Sequence, residues 1–147
     1  MSGIPDMQRF FRAAGGVDVD KDDVKRYREF VDDKVDDIAI AGRDAARWNG
    51  RDVIAPQDLP ITKALQERMR ELAGMDEAAD IRAWLRGSLR RPPDDVTFGE
   101  ETEDVLTDVF GALSVALART FRIVDSEVRN PSTRHWDRAF GLFGLLV

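Results

Sequence analysis

Residues 24–48, VKRYREFVDDKVDDIAIAGRDAARW, decide the fold of this chain. Apolar residues recur in this segment at steps of three and four, which places one apolar stripe along a long amphipathic helix. Asp20 and Asp23 supply an acidic capping signal before the helix, and Asn49-Gly50 supplies a stop signal after it. The sequence therefore predicts one helix of about seven turns. The stripe comprises Val24, Tyr27, Val31, Val35, Ile38, Ala41, Ala45 and Trp48.

A second long helix, entered through residues 99–102, repeats this pattern at an offset of 78 residues. Neither long helix can be covered by two short ones, so each stripe is expected to pack against the other unit, with the closest approach near Ile38 and Ala116. The chain is thus predicted to contain a short–long–short helical unit twice. The second stripe comprises Val105, Val109, Leu113, Ala116, Thr120 and Ile123, and the flanking short helices are predicted at residues 7–14, 59–73, 77–86 and 133–146.

The joint between the two units, residues 74–76, has only the length of a turn. No linker rich in Pro, Ser or Gly separates them, so residues 1–147 are expected to form one compact all-α domain. The first unit covers about residues 5–74 and the second residues 75–147. A chain of this length buries a core without a structural metal, and the absence of cysteine excludes disulfides, Cys-ligated metals and a thiol nucleophile.

The charge of the chain restricts its partners. The formal net charge is −6, which argues against a main function in coating nucleic acid or anionic lipid, because such binding depends on neutralising phosphates with Lys and Arg. No stretch approaches the roughly 20 apolar residues that span a bilayer, and no secretory signal is present at the N-terminus. We therefore expect a cytoplasmic protein without a membrane partner.

The first unit contains, in order, RFFRAAGG at residues 9–16, the acidic loop at 17–23, the long helix, and GRDVIAPQDL at 50–59. Taken from end to end, these segments resemble an archaeal histone. With two units in one chain, the protein resembles the small bacterial family of tandem histone-fold proteins, or histone doublets. The resemblance implies an intramolecular handshake pseudo-dimer, in which the first loop of each unit lies beside the second loop of the other.

The resemblance also implies a structural ion pair. In that family, a loop arginine pairs with an aspartate seven residues later and fixes the second loop against the last helix; Arg51 and Asp58 have this spacing. The family usually has a threonine two residues after the arginine, and Val53 here lacks the hydroxyl contact that accompanies DNA binding. In the second unit, Arg129 is matched only by Asp137, one residue too far.

The same resemblance implies that several arginines, on the first helix and in or beside the loops, lie where histones contact DNA phosphates. The handshake would also bring the aspartates of residues 18–23 to this edge, beside Arg129 and Arg134, where they repel phosphate. Weak, sequence-nonspecific DNA binding by a nucleoid-associated, histone-like protein is therefore the alternative function. The candidate DNA-binding residues are Arg9, Arg12, Arg51, Arg90, Arg91, Arg129 and Arg134.

Other candidate chemistry is weak. Residues 18–29 resemble a calcium-binding EF-hand loop, but Asp23 replaces the glycine of its sharp turn, so a solvated acidic helix entrance is the favoured interpretation. His135 is the only histidine, and its neighbours Thr133 and Asp137 serve equally well as capping residues. We expect no catalytic residue, no metal ligand, no cofactor and no small-molecule substrate, so the chain is not expected to be an enzyme.

Residues 140–147, FGLFGLLV, contain almost no polar group. They either complete the intramolecular core or leave an apolar patch that drives self-association. The leading functional hypothesis is a non-catalytic histone-fold doublet that acts as a protein interaction or dimerisation module. Its partner would be another copy of the chain or a different protein.

Overall fold

The computed structural model describes residues 3–87, 89–93 and 95–147, so residues 1, 2, 88 and 94 of the predicted domain lie outside the described residues. The chain is mainly α-helical, as the sequence predicts, and a pair of short strands adds to the helices. No helix within the described ranges is long and apolar enough to cross a bilayer. The elements are α1 (Gly3–Gly15), α2 (Lys21–Trp48), β1 (Val53–Ile54), a 3-10 turn (Pro56–Asp58), α3 (Lys63–Ala73), α4 (Ala78–Arg86), β2 (Thr97–Phe98), α5 (Glu100–Val124) and α6 (Thr133–Leu146).

The long helix α2 begins and ends where its capping signals predict. The Asp20 carboxylate accepts a hydrogen bond from the Asp23 backbone N–H at 2.7 Å, and the Asp23 carboxylate accepts one from the Asp20 N–H at 3.0 Å. Gly50 has a φ of +72°, a left-handed conformation that glycine adopts without a steric penalty. Local sequence signals therefore fix both ends of this helix.

Helix α5 lies at the centre of the molecule and packs against α1, α2, α3, α4 and α6. Every residue from 109 to 115 is buried, so the middle of α5 is enclosed on all sides. Gly111 permits this packing, because a Cβ atom there would lie 2.2 Å from Cδ2 of Leu72 on α3. Such an enclosed helix is typical of the core of a domain.

The predicted apolar stripes are wrong near the C-terminal ends of α2 and α5, where stripe residues are exposed instead of buried. Trp48 belongs to the predicted stripe of α2 but is 90% exposed, and Ile123 in α5 is 81% exposed. The chain after α2 folds back over Gly42, where an added Cβ would lie 2.9 Å from Cδ2 of Leu59. A face of small residues thus turns inward near the end of α2, and it contains Ala39, Gly42 and Ala46.

The two halves of the chain meet at both ends of the molecule. At one end, β1 after α2 pairs with β2 before α5 in parallel. At the other end, the Asp18 backbone N–H, before α2, donates to the carbonyl oxygen of Arg129, after α5, at 2.7 Å. Each end therefore joins the loop before one long helix to the loop after the other.

The long helices contact each other through buried side chains in the first part of α2. The Tyr27 hydroxyl lies 2.7 Å from the Ser114 hydroxyl, and the Tyr27 and Phe110 rings pack edge to face with their centroids 6.3 Å apart. These contacts lie about three turns before Ile38. Ala116 is only half-buried. The closest approach predicted near Ile38 and Ala116 stays a prediction, and these side-chain contacts between the long helices lie towards the start of α2.

Candidate functional site

The outer face of the last two turns of α6 is apolar and uncovered. Its most exposed side chains are Leu145 and Leu146, at 83% and 79%. The inner face of α6 packs on α2, where the Phe140 ring stacks on the Phe30 ring at a centroid distance of 4.1 Å. The predicted apolar run thus divides between the core and the surface. The uncovered side chains, which we call the α6 patch, are Leu142, Leu145, Leu146 and Val147.

Two glycines lie on the same exposed stretch of α6. An added Cβ atom at Gly141 or Gly144 would meet no atom of residues 3–87, 89–93 and 95–147 within 4 Å. Glycine in an exposed helix interior costs about 1 kcal/mol relative to alanine, so two of them weaken α6 where the described part of the chain leaves room for a side chain. Their effect is to leave the helix backbone open to close approach from outside.

A cavity of about 280 Å³ opens beside the α6 patch, between α2 and the start of α3. Its apolar wall includes Ile38 and Leu65, which are both almost fully buried. Lys34 and Asp37, of opposite charge, also line it. We call this space the α2–α3 cavity. It is a largely apolar recess next to the exposed leucines of the α6 patch. Its lining includes Lys34, Asp37, Ile38, Pro60, Leu65 and Leu146.

The predicted ion pair between Arg51 and Asp58 is present. The Arg51 guanidinium donates to both carboxylate oxygens of Asp58, at 2.8 and 2.7 Å, and to the carbonyl oxygen of Val53 at 3.1 Å. The Asp58 carboxylate also accepts the Ala55 backbone N–H at 2.8 Å. The hydrogen bond from Arg51 holds the pKa of Asp58 below its ordinary value. Arg51 therefore fixes the loop after α2 and is not free to meet a phosphate.

Arg90 reaches from the segment after α4 to the acidic face of α2. Its guanidinium donates to the Asp33 carboxylate at 3.1 Å, is hydrogen-bonded to Asp36, and lies 3.9 Å from the Asp32 carboxylate. Three carboxylates on one face of α2 thus surround a single guanidinium group of the same chain. Arg90 is a tether between the halves of the chain rather than a free phosphate contact.

Arg9 and Arg12 on α1 are also paired within the chain. Arg9 forms an ion pair with Asp6, and Arg12 donates to the Asp18 carboxylate at 2.9 Å. Because these pairs neutralise both arginines, α1 offers little positive charge to a nucleic acid. With Arg51 and Arg90, four of the seven candidate DNA-binding arginines have a carboxylate partner.

The other three candidates, Arg91, Arg129 and Arg134, are exposed, and no ion pair involves them within the described ranges. Arg134 lines a surface cleft of about 420 Å³ together with His135 and Arg138. Arg138 follows Arg134 by four residues on α6, so helical spacing could have identified it from the sequence. We call the surface formed by Arg129, Arg134 and Arg138 the loop end.

The acidic first loop is occupied by local contacts instead of forming an EF-hand. Asp20 and Asp23 cap α2, and Asp18 binds Arg12. Glu29 is exposed on α2. Among the described residues, no three His, Asp or Glu side chains come together in a group that could hold a metal ion.

His135 forms part of the cap of α6. Its Nδ1 accepts the Ser132 backbone N–H at 3.0 Å, and its Nε2 lies 3.0 Å from the Asp125 carboxylate. Because Nδ1 is an acceptor, the proton of the neutral ring is on Nε2 and is donated to Asp125. The same hydrogen bond lowers the pKa of Asp125. Sequence reasoning named Thr133 and Asp137 as the neighbours of His135 and missed both actual partners.

Ser132, His135 and Asp125 have the composition of a catalytic triad. The Ser132 hydroxyl lies 2.9 Å from His135 Nδ1. In a triad, the histidine nitrogen beside the serine must be free to take the hydroxyl proton. Here that nitrogen already accepts a backbone N–H, so the arrangement is suited to capping a helix and poorly suited to activating a nucleophile.

Comparisons with known proteins identify relatives over nearly the whole chain. The model of the family described as "Domain of unknown function (DUF1931)" matches residues 7–144. An uncharacterized protein of Aquifex aeolicus (strain VF5) is 26% identical over 130 residues, which are 88% of this chain and 75% of that protein. A crystal structure of a protein from Thermus thermophilus superposes with a TM-score of 0.84 at 38% identity, covering 98% of this chain and 97% of that one. A 1.9 Å crystal structure of an Aquifex aeolicus protein shares the fold, with a TM-score of 0.83 at 24% identity and coverage of 99% and 95%.

Proposed function

This chain belongs to the family described as "Domain of unknown function (DUF1931)", and we propose that it is a non-catalytic histone-fold doublet that acts as a protein-interaction module. The α6 patch is the observation that carries the proposal. Contiguous exposed apolar surface is costly in water and commonly marks a protein interaction site. In this patch, neighbouring leucines are about four-fifths exposed beside an apolar cavity.

The histone-fold part of the proposal is supported by the way the two halves join. A short–long–short order of helices occurs twice, and each half places one loop against the opposite loop of the other half. Reciprocal loop contacts of this kind are what a handshake pseudo-dimer requires. The Arg51–Asp58 pair adds a local contact at the spacing that the resemblance to histones implies.

The non-catalytic part is supported by the state of His135. Its two ring nitrogens are engaged by the Ser132 N–H and by Asp125. A general base needs an available lone pair directed at a substrate proton. The cleft beside it is lined by Val124 and by side chains that contribute to the cap of α6 or carry positive charge.

Nonspecific DNA binding is the second candidate function, and the loop end favours it. Arg129 and Arg134 are exposed and lie outside every ion pair of the described residues. The net charge of −6 and the four internally paired arginines oppose it. Such binding would be weak and would fall steeply with salt, since it rests on counterion release alone.

Site-specific photo-crosslinking in the native cell tests the interaction module. A photoreactive benzoylphenylalanine at position 145 should form crosslinks to protein, whereas the same group at position 48 should form few. Trp48 is a matched control because it is equally exposed but lies outside the α6 patch. Crosslinks to protein that arise equally from both positions, or no protein crosslink from position 145, would contradict the proposal.

A further inference from the structure

We infer that the partner of the α6 patch is a second copy of this chain, bound across a two-fold axis so that Leu145 of each copy enters the α2–α3 cavity of the other. The inference rests on the proposed function and goes beyond it by naming the partner and the contact. Such an interface is isologous, so a single surface must be complementary to itself.

Self-complementarity requires a projection and a recess on the same face. Leu145 projects from α6 with 83% of its surface exposed, and Leu146 of the next position lines the recess. The cavity holds about 280 Å³. An apolar space of roughly 150 Å³ already accommodates a benzene molecule, so an aliphatic side chain fits here.

The charges at the rim also suit a second copy. An isologous contact brings each surface against its own duplicate, so a rim of one sign would repel itself. The cavity rim carries Lys34 and Asp37, one positive and one negative side chain. Rotation about a two-fold axis can set Lys34 of one copy opposite Asp37 of the other. The side chains of the α6 patch itself are all apolar, so the charged side chains of the proposed contact lie at its rim.

The glycines of α6 are consistent with close contact between helices. Gly141 and Gly144 leave the backbone uncovered on the exposed side of α6, and no atom of the described residues fills the space that a Cβ would occupy. A neighbouring surface can therefore approach the helix axis more closely than alanine would allow. A partner that contacts only the leucine tips would gain nothing from these positions.

Sedimentation equilibrium of the full chain tests the inference. The wild-type protein should be a dimer at concentrations within about 1 to 500 µM, and Leu145→Glu should weaken association at least about tenfold. Ile123→Glu is the matched control, because Ile123 is 81% exposed outside the α6 patch. It should leave the dimer intact. Circular dichroism should show that both variants remain helical, as expected for exposed positions.

Charge exchange gives a second, independent readout. Lys34→Asp should weaken the dimer, and the double variant Lys34→Asp/Asp37→Lys should restore most of the affinity. A wild-type protein that stays monomeric up to about 500 µM would overturn the inference. An equal loss of association in Leu145→Glu and Ile123→Glu would overturn it as well.

The two proposals can fail separately. Crosslinks from position 145 to a different protein, together with a monomeric wild-type chain, would retain the interaction module and reject the second copy. Crosslinks from position 145 to another copy of the chain would support both.

Discussion

Arg51 and Asp58 form a two-point ion pair, with donor–acceptor distances of 2.8 and 2.7 Å, on a carboxylate side chain that is only 4% exposed. The same carboxylate accepts the Ala55 N–H, so one aspartate joins the loop after α2 to the turn before α3. The Ile54 carbonyl oxygen in this loop accepts the Thr102 hydroxyl of α5 at 2.6 Å. The ion pair thus stabilises the segment through which the first half of the chain contacts the second.

Removal of this ion pair should destabilise the whole fold. Arg51→Ala leaves a buried carboxylate without its charged donor, which should lower the free energy of unfolding by about 1 to 3 kcal/mol. Urea denaturation monitored by circular dichroism measures the change. Arg91→Ala is the control, since Arg91 is exposed, and it should unfold like the wild type within about 0.5 kcal/mol. Equal midpoints for Arg51→Ala and wild type would mean that the pair contributes no stability.

The pH dependence of stability should contain a contribution from Asp58. Because the folded-state pKa of Asp58 is lowered, its stabilisation is present above the unfolded value of about 3.9 and is lost as the pH falls through the folded pKa. Asp58→Asn should therefore be less stable than wild type at pH 7, and the difference should shrink below about pH 4. Unfolding curves collected across this range measure the difference.

The contribution of Asp58 has to be measured as the difference in stability between wild type and Asp58→Asn, because other carboxylates also affect how stability changes with pH. Burial raises the pKa values of Asp23 and Asp32, so these groups act in the opposite direction as the pH falls. They are present in both wild type and Asp58→Asn, and they cancel in the difference between the two. A difference that stays constant between about pH 7 and pH 2 would contradict the assignment to Asp58.

The ends of α2 could be predicted from the sequence because their signals are local, whereas α1 and α3 begin at Gly3 and Lys63 instead of at the predicted residues 7 and 59. Asp20 and Asp23 are three residues apart and cap α2 by themselves. The strands β1 and β2 could not be predicted, since each has two residues and exists only through pairing with the other. Hydrophobic periodicity and turn signals are properties of a single segment, so they do not indicate that two distant segments pair as strands.

The candidate site was harder to predict than the helices. The resemblance to histones implied the partnership of Arg51 and Asp58. Arg90, however, meets the acidic face of α2 across more than 50 residues, and only the folded chain brings them together. Trp48 fits the apolar period of α2 and is nevertheless exposed, because the chain turns back over Gly42 instead. A periodic pattern identifies an apolar face but not which part of that face the tertiary structure covers.

Close packing between α1 and α5 depends on Gly15. A Cβ atom there would lie 2.1 Å from the carbonyl oxygen of Ala118, and this backbone atom cannot rotate away. Gly15→Ala should lower the free energy of unfolding by about 1 to 3 kcal/mol, as overpacking of a core does. Thermal and urea unfolding measure the effect.

A matched substitution separates packing from helix propensity. Gly141→Ala places the same methyl group on an exposed part of α6, where no described residue has an atom within 4 Å. It should stabilise the chain by about 0.5 to 1 kcal/mol at protein concentrations too low for association. If both variants shifted stability in the same direction, the contact between Gly15 and Ala118 would not explain the result.

The last prediction concerns the affinity for DNA. This affinity depends on how many of the candidate arginines are already paired with carboxylates of the chain. Four of the seven candidate arginines bind carboxylates of the chain, which leaves Arg129 and Arg134 as candidates at the loop end. Binding to duplex DNA should be weak, with a Kd of about 10⁻⁴ to 10⁻⁶ M at physiological salt. Fluorescence anisotropy of a labelled duplex at low and moderate salt measures it. Arg129→Ala/Arg134→Ala should weaken binding and reduce its salt dependence by about two released counterions.

Controls at other positions make this prediction specific to the loop end. Arg9→Ala should change the affinity little, because Arg9 is already neutralised by Asp6. Exchange of the first-loop aspartates for asparagine should strengthen binding, since these carboxylates lie where the Asp18 N–H contacts the Arg129 carbonyl oxygen. Equal losses from Arg9→Ala and from Arg129→Ala/Arg134→Ala would place the binding surface elsewhere. Nanomolar binding that persists at physiological salt would contradict the expected weak binding of a chain of net charge −6 and would make DNA the primary ligand.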